Sequence, residues 1–135
     1  MAPWLGGQVV IGALGRYGGA LMRQHHAFDP ERFITVDAPE KGYGRFLVSQ
    51  LDDDDMIVLV AEKDGVVVGY LYGGLEPMSW KELRAACGYL HDVYVDDGVR
   101  GHGIADRLMR EGFSWLVARG APRVVMIRAA GNAAA

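Results

Sequence analysis

"YVDDGVRGHGIADRLM", residues 94–109, is the stretch that decides the fold of this chain. Its beginning predicts the end of a β-strand, and its end predicts the start of an amphipathic helix. The intervening turn, RGHG at residues 100–103, has none of the Ser, Thr, Asp or Asn side chains that usually cap a helix. The first amides of this helix therefore need a hydrogen-bond acceptor from elsewhere.

An anion is one candidate for that acceptor. Aligned peptide dipoles place partial positive charge at the start of a helix. Gly101 and Gly103 carry no side chain that would cover the backbone, and Arg100 adds a positive charge beside it. A phosphate or pyrophosphate would complete this helix start. The alternative is that water satisfies the amides and the glycines only form a tight turn.

Two common nucleotide-binding motifs do not fit this turn. The dinucleotide fingerprint needs a third glycine where this chain has Asp106, and it needs a suitably spaced acidic residue in a following βαβ unit. A P-loop needs Gly-Lys-Ser or Gly-Lys-Thr, which does not occur in the sequence. An anion at this turn would therefore be bound by a different kind of site.

The elements around the turn follow from periodicity and turn residues. Gly12, Gly15, Gly18 and Gly19 are expected to weaken the first helix, so tertiary packing must hold it. The predicted order is a strand at 8–11, a helix ending at 26–28, a turn-rich connection at 29–42, a weaker helix at 43–51, a hairpin at 56–77, a strand at 87–95, a helix at 104–118 and a strand at 124–127. The last two strands are expected to be parallel, because a helix crosses between them.

The strand "LHDVYV" followed by Arg100, Gly103 and Ala105 resembles the acetyl-CoA motif of the GNAT acetyltransferase superfamily. That motif is Gln or Arg, two residues, Gly, one residue, and then Gly or Ala. The order of the predicted elements agrees with the same family. The resemblance implies one domain over residues 1–135, of the α+β or α/β class. Its sheet would be mixed and mostly antiparallel, with splayed central strands flanked by helices.

The resemblance also implies acetyl-CoA as the cosubstrate. The amides of the turn would hold its pyrophosphate, and Val93 and Val95 would bond its pantetheine arm through main-chain groups. The residues that the resemblance places at the cofactor are Val93, Tyr94, Val95, Arg100, Gly101, His102, Gly103, Ile104 and Ala105.

His91 and Asp92 are the candidate catalytic residues. The segment "YLHDVYV" is similar to that of polyamine and small-amine acetyltransferases, which often have Glu-Asp where this chain has His91-Asp92. An imidazole in that position could accept the proton of an amine. The alternative is that His91 is only a polar residue on a strand face. Strand alternation places Asp92 on the opposite face, unless a β-bulge reverses it.

His25, Tyr72 and Glu76 are candidate residues of the acceptor site, which the 29–42 connection would border. Capping of the first helix is the favoured role of His25 and His26, with substrate contact as the alternative. Adjacent histidines on a helix face different directions, so no metal site is expected there.

Composition limits the possible partners. A net charge of -3 over 135 residues argues against a protein that coats nucleic acid. No segment is long and apolar enough to predict a membrane span, and the N-terminus lacks the cations of a signal peptide. The single cysteine, Cys87, excludes an internal disulfide, is expected to be buried and fits a cytoplasmic protein.

The family pattern continues beyond the last residues of this sequence. Asn132 and Ala135 match the beginning of a further motif, and the helix, strands and thiolate-protonating tyrosine that follow in the family are not in the sequence. Three explanations are open: a truncated chain, a remainder that is not represented, or a homodimer in which the partner covers the strand edge at residues 123–128. The fold is accordingly expected to be C-terminally incomplete.

Three functions remain open from the sequence. The leading hypothesis is an N-acetyltransferase that moves the acetyl group of acetyl-CoA to the amine of a small molecule or protein by direct attack. The alternative is a non-catalytic, acyl-CoA-binding regulatory module of the same fold. A different phosphate binder that uses the same helix start is the third.

Overall fold

The computed structural model describes residues 2–3 and 8–126 of the chain. The strands are β1 (Ala2–Pro3), β2 (Met56–Lys63), β3 (Val66–Glu76), β4 (Cys87–Val95) and β5 (Val124–Met126). The helices are α1 (Gln8–Phe28), α2 (Pro39–Ser49) and α3 (Ile104–Ala118), with short 3-10 turns at Gln50–Asp52 and Asp97–Val99. None of the described helices is long and apolar enough to cross a membrane.

The strands form one sheet in the order β1-β2-β3-β4-β5. Pairing is antiparallel from β1 to β4 and parallel between β4 and β5, which confirms the mixed, mostly antiparallel sheet. The tight turn at Asp64 and Gly65 joins β2 to β3, where both residues have positive φ. Pairing of β4 with β5 is described only from Gly88 to Leu90, and Ile127 lies outside the described residues.

Each face of the sheet has its own apolar core. Leu108 and Leu116 of α3 are fully buried against β2, β3 and β4 on one face. On the other face Leu14 of α1 and Leu47 of α2 are fully buried with Tyr70 of β3. Helix α3 spans the residues that its apolar periodicity predicted, because its broad apolar stripe covers one side of the sheet.

The prediction of a strand at residues 8–11 was wrong. These residues form the first turns of α1, and the strand at this edge is β1. The short run Val9-Val10-Ile11 suggested a strand because β-branched residues favour it. Val10 also begins the three- and four-residue spacing that Leu14, Tyr17 and Leu21 continue, and the longer helical pattern prevails.

The glycines of α1 allow a close approach of α2, which the sequence did not predict. A Cβ at Gly15 would lie 2.3 Å from the carbonyl oxygen of Glu40, and one at Gly18 would lie 2.1 Å from the Tyr43 ring. Helix α2 also begins at Pro39, four residues earlier than predicted, so the connection after α1 is shorter. The glycines therefore lower the helix propensity of α1, but they permit the close packing of α2 that places Tyr43 against α1.

Candidate functional site

The turn that leads into α3 leaves its backbone amides open. Gly101 and Gly103 have φ of 86° and 76°, the left-handed region that glycine adopts most easily. No amide of residues 101–106 donates to a protein acceptor within the described part of the chain, and the first helical bond is from Arg107 N to Gly103 O. A Cβ at either glycine would meet nothing within 4 Å, so this surface is open to a ligand.

Arg100 is less free than the sequence suggested. Its Nη1 lies 2.9 Å from Oδ1 of Asp97, and its Nε donates to the carbonyl oxygen of Val95 at 3.0 Å. The guanidinium also lies 5.4 Å from the centre of the Tyr94 ring. These contacts hold the cation at the end of β4, next to the open amides, and partly neutralise it.

The start of the turn is braced from α1. The Tyr17 hydroxyl lies 3.0 Å from the carbonyl oxygen of Val67 and 3.1 Å from Oδ2 of Asp96. Oδ1 of Asp96 accepts from the amide of Gly98 at 2.9 Å, which stabilises the 3-10 turn before the open amides. Burial, and next the hydrogen bond to Asp96, raise the pKa of Tyr17. Tyr17 therefore links the first helix to the segment that leads into the open glycine turn.

A β-bulge in β4 brings His91 and Asp92 to the same side of the sheet. Tyr72 pairs with Asp92 and Gly73 pairs with Leu90, so His91 is the extra residue of β4. The bulge cancels the strand alternation that would have separated the two side chains. Both line one cleft.

The His91 ring is held on three sides. Its Nε2 lies 2.6 Å from Oε1 of Glu76, and its ring stacks on those of Tyr89 and Tyr72 with centroid distances of 4.2 and 5.2 Å. A carboxylate only accepts hydrogen bonds, so the pair places a proton on Nε2 and leaves the Nδ1 lone pair of a neutral ring. No described residue bonds to Nδ1.

Asp92 is a buried carboxyl group that two tyrosines contact. Tyr70 donates to its Oδ2 at 2.8 Å, and Tyr43 of α2 donates to the same oxygen. Burial raises the pKa of Asp92, and these hydrogen bonds act in the opposite direction. Burial and the charge of Asp92 also raise the pKa of both tyrosines, so they stay protonated donors. With Oδ2 occupied in this way, the geometry favours His91 over Asp92 as a proton acceptor.

The cleft beside His91 has a volume of about 480 Å³. Helix α1, residues 32–34, α2 and strands β3 and β4 all contribute to its walls. The predicted acceptor residues His25, Tyr72 and Glu76 line it together with His91 and Asp92. His25 also bonds through Nδ1 to the Leu21 carbonyl oxygen at 2.9 Å, so it supports α1 from inside the cleft wall.

The predicted cofactor residues form a second, separate group. Val93, Tyr94 and Val95 are the end of β4, and Arg100, Gly101, His102 and Gly103 form the turn that Ile104 and Ala105 continue as α3. None of these residues lines the cleft at His91. Strand β4 therefore carries a ring-lined cleft at its bulge and leads at its end to a turn with open amides.

Sequence reasoning missed several residues of the cleft. Tyr43 and Phe46 of α2 stack with a centroid distance of 5.6 Å, and their three-residue spacing was the available signal. Tyr89 also lines the cleft and could have been found by alternation along β4 with His91. Tyr70 does not line the cleft but is buried beneath it at Asp92, and alternation with Tyr72 along β3 was the available signal. Their convergence depends on the bulge and on the approach of α2, which are not local properties. Among the described residues, no group of three or more His, Cys, Asp or Glu could hold a metal ion.

A mixed sheet in which one strand borders a cleft and leads to an uncapped glycine turn has the architecture of an N-acetyltransferase. The chain belongs to the GNAT acetyltransferase family, whose model, described as "Acetyltransferase (GNAT) family", matches residues 20–135. A search of curated proteins gave no significant match.

Solved structures with this fold agree at low sequence identity. A mutant of the BH1408 protein from Bacillus halodurans is 17% identical with a TM-score of 0.72, and the match covers 90% of this chain and 78% of that one. An acetyltransferase from Vibrio fischeri is 21% identical with a TM-score of 0.65, covering 93% and 94%. A predicted acetyltransferase from Clostridium acetobutylicum with acetyl-CoA is 16% identical with a TM-score of 0.58, covering 83% and 73%.

Proposed function

We propose that this protein transfers the acetyl group of acetyl-CoA to a primary amine. The observation that carries the proposal is the row of amides at residues 101–106, which have no acceptor within the described part of the chain. These amides lie at the positive end of the α3 dipole and follow the strand that borders the cleft. Family membership and the acetyl-CoA found with one structural neighbour support the same cosubstrate.

The open turn fits a diphosphate better than it fits water alone. Glycine at positions 101 and 103 exposes the amide groups, and nothing stands within 4 Å of where a Cβ would be. Arg100 adds a fixed cation at the strand end, and Tyr17 holds Asp96 and thus the preceding turn. A diphosphate would accept charge-assisted hydrogen bonds from amides that have no acceptor within the described part of the chain.

When bound, acetyl-CoA supplies an acetyl group on a thioester. In direct transfer, a neutral amine forms the new C–N bond, the C–S bond breaks, the amine nitrogen loses a proton and the sulfur gains one. The chain must therefore provide a proton acceptor near the amine. We assign this role to Nδ1 of His91, because Glu76 fixes the proton on Nε2 and the two tyrosine rings fix the ring plane.

Asp92 has a supporting role in this mechanism. Its buried carboxyl group is the acceptor for the hydroxyls of Tyr43 and Tyr70, and the hydrogen bonds fix one wall of the cleft. Asp92 follows His91 directly in β4, so these hydrogen bonds also anchor the strand at the position of the proposed base.

Calorimetry followed by an enzyme assay tests the proposed function. We expect acetyl-CoA to bind and pantetheine, which lacks the diphosphate, to bind far more weakly. Thiol release from acetyl-CoA is then measured over a panel of primary amines, and we expect amine-dependent release. Binding without thiol release would instead support a non-catalytic acyl-CoA-binding module, and absence of acetyl-CoA binding would contradict both functions.

A further inference from the structure

Aromatic rings form most of one wall of the acceptor cleft. Phe46 packs edge-on against Tyr72 at a centroid distance of 5.6 Å, and Tyr72 stacks on His91. Phe33 lies against His25 on the α1 side, at 4.8 Å and edge-on. The carbocyclic rings that line the cleft are those of Phe33, Tyr43, Phe46, Tyr72 and Tyr89. Ring walls of this kind bind flat apolar groups by stacking and edge contacts.

The same cleft offers few free negative charges. Glu76 is paired with His91, and Oδ2 of Asp92 already accepts from two tyrosine hydroxyls. The guanidinium of Arg32, which also lines the cleft, lies 4.8 Å from the centre of the Phe33 ring. A ligand with several ammonium groups would meet this cation and would find too few carboxylates to pair its charges. A ligand with a single amine needs only the proposed proton acceptor, His91, and one carboxylate nearby.

We propose that the acceptor is a monoamine on an aromatic or other flat apolar group, of the arylalkylamine type, and not a polyamine or a polycationic sugar. This inference rests on the proposed acetyl transfer and names its substrate class. A volume of about 480 Å³ accommodates one ring system and a short chain that carries the amine to His91. The rings that stack on His91 continue toward Phe46, so an aromatic group and its amine can occupy one continuous wall.

A panel of acceptors tests the substrate class. Thiol release from acetyl-CoA is measured with 2-phenylethylamine, with ethylamine as the ringless control, with spermidine and with kanamycin. We expect kcat/KM for 2-phenylethylamine to exceed that for ethylamine by about 10- to 100-fold, because the ring is buried against apolar surface. It should also exceed the values for spermidine and kanamycin by at least about tenfold.

Two variants test whether the preference for an aromatic monoamine depends on residues of the cleft. Phe46→Ala should lower the ratio of 2-phenylethylamine to ethylamine kcat/KM by about tenfold, since it removes one ring of the wall. Phe113→Ala is the matched control, because Phe113 is 37% exposed on α3 and Phe46 is 42% exposed on α2. Arg32→Glu replaces the cation at the cleft with a carboxylate and should raise spermidine kcat/KM several-fold relative to 2-phenylethylamine. All three side chains are partly or largely solvent-exposed, so folding should survive each change.

The outcomes separate this inference from the proposed function. Thiol release that is fastest with spermidine or kanamycin, or equal for 2-phenylethylamine and ethylamine, would overturn the inference and leave acetyl transfer standing. A Phe46→Ala variant with the same ratio as Phe113→Ala would also overturn it. No thiol release with any amine would overturn both the proposed function and the substrate class that rests on it.

Discussion

Replacing Gly103 by alanine has two expected effects: it strains a left-handed backbone, and it places a methyl group beside the open amides. Comparison with the same substitution at Gly120 separates these two effects. Gly103 has φ of 76° at the start of α3, and Gly120 has φ of 86° just beyond its end. A Cβ would meet nothing within 4 Å at either position, so neither substitution creates a clash in the free protein. Both alanines should cost about 1 kcal/mol of stability through left-handed strain. That corresponds to a Tm lower by about 4 °C.

The two variants should differ in acetyl-CoA binding. In Gly103→Ala the methyl group stands over the amides that we assign to the diphosphate, and losing one such hydrogen bond should weaken Kd about tenfold, or about 1.4 kcal/mol. Gly120→Ala lies at the opposite end of α3 and should bind acetyl-CoA as the unmodified protein does. Calorimetric titration and thermal melts of both variants make the comparison. Equal affinity in the two variants would refute the assignment of the diphosphate to this turn.

Three further predictions concern the residues around the cleft and the turn. His91→Ala should lower kcat/KM for the amine by about 100-fold while the KM for acetyl-CoA stays within about twofold; an unchanged kcat/KM would exclude His91 as the base. Tyr17→Phe should raise the KM for acetyl-CoA about 3- to 10-fold while kcat stays within about twofold, and a change in kcat alone would contradict the bracing role. Burial raises the folded-state pKa of Asp92, so its folded form binds the proton more tightly than the unfolded chain does. As the pH rises above about 4, the free energy of unfolding of the native protein should therefore fall relative to that of the Asp92→Asn variant. Urea titrations of both proteins measure this difference, and a difference that does not change with pH would contradict the prediction.

The parts of the fold that the sequence predicted are those set by local pattern. Helix α3 follows from its apolar stripe, its closing Gly120 and the proline at residue 122. The hairpin follows from Asp64-Gly65 between two β-branched runs. Each of these signals lies within about 15 residues of chain and needs no partner to be recognised.

The features that escaped prediction depend on contacts between distant segments. The bulge at His91 is a mismatch in register between β3 and β4, and no pattern within β4 indicates it. Gly15 and Gly18 look like weak points of α1 until α2 is packed against them. The open amides of the glycine turn could therefore be predicted from one segment, and their role in binding stays a prediction. The cleft, where five segments meet, was only partly predicted.

Amide resonances of the glycine turn provide the most direct test of the central claim, that the open backbone between Arg100 and Ala105 receives a diphosphate. The protein labelled with ¹⁵N is titrated with coenzyme A and, in parallel, with pantetheine, which lacks the diphosphate. We expect the largest shift changes at Gly101, Gly103 and Ala105 with coenzyme A, and only small changes there with pantetheine. Unchanged resonances at these positions in the presence of bound coenzyme A would contradict the account.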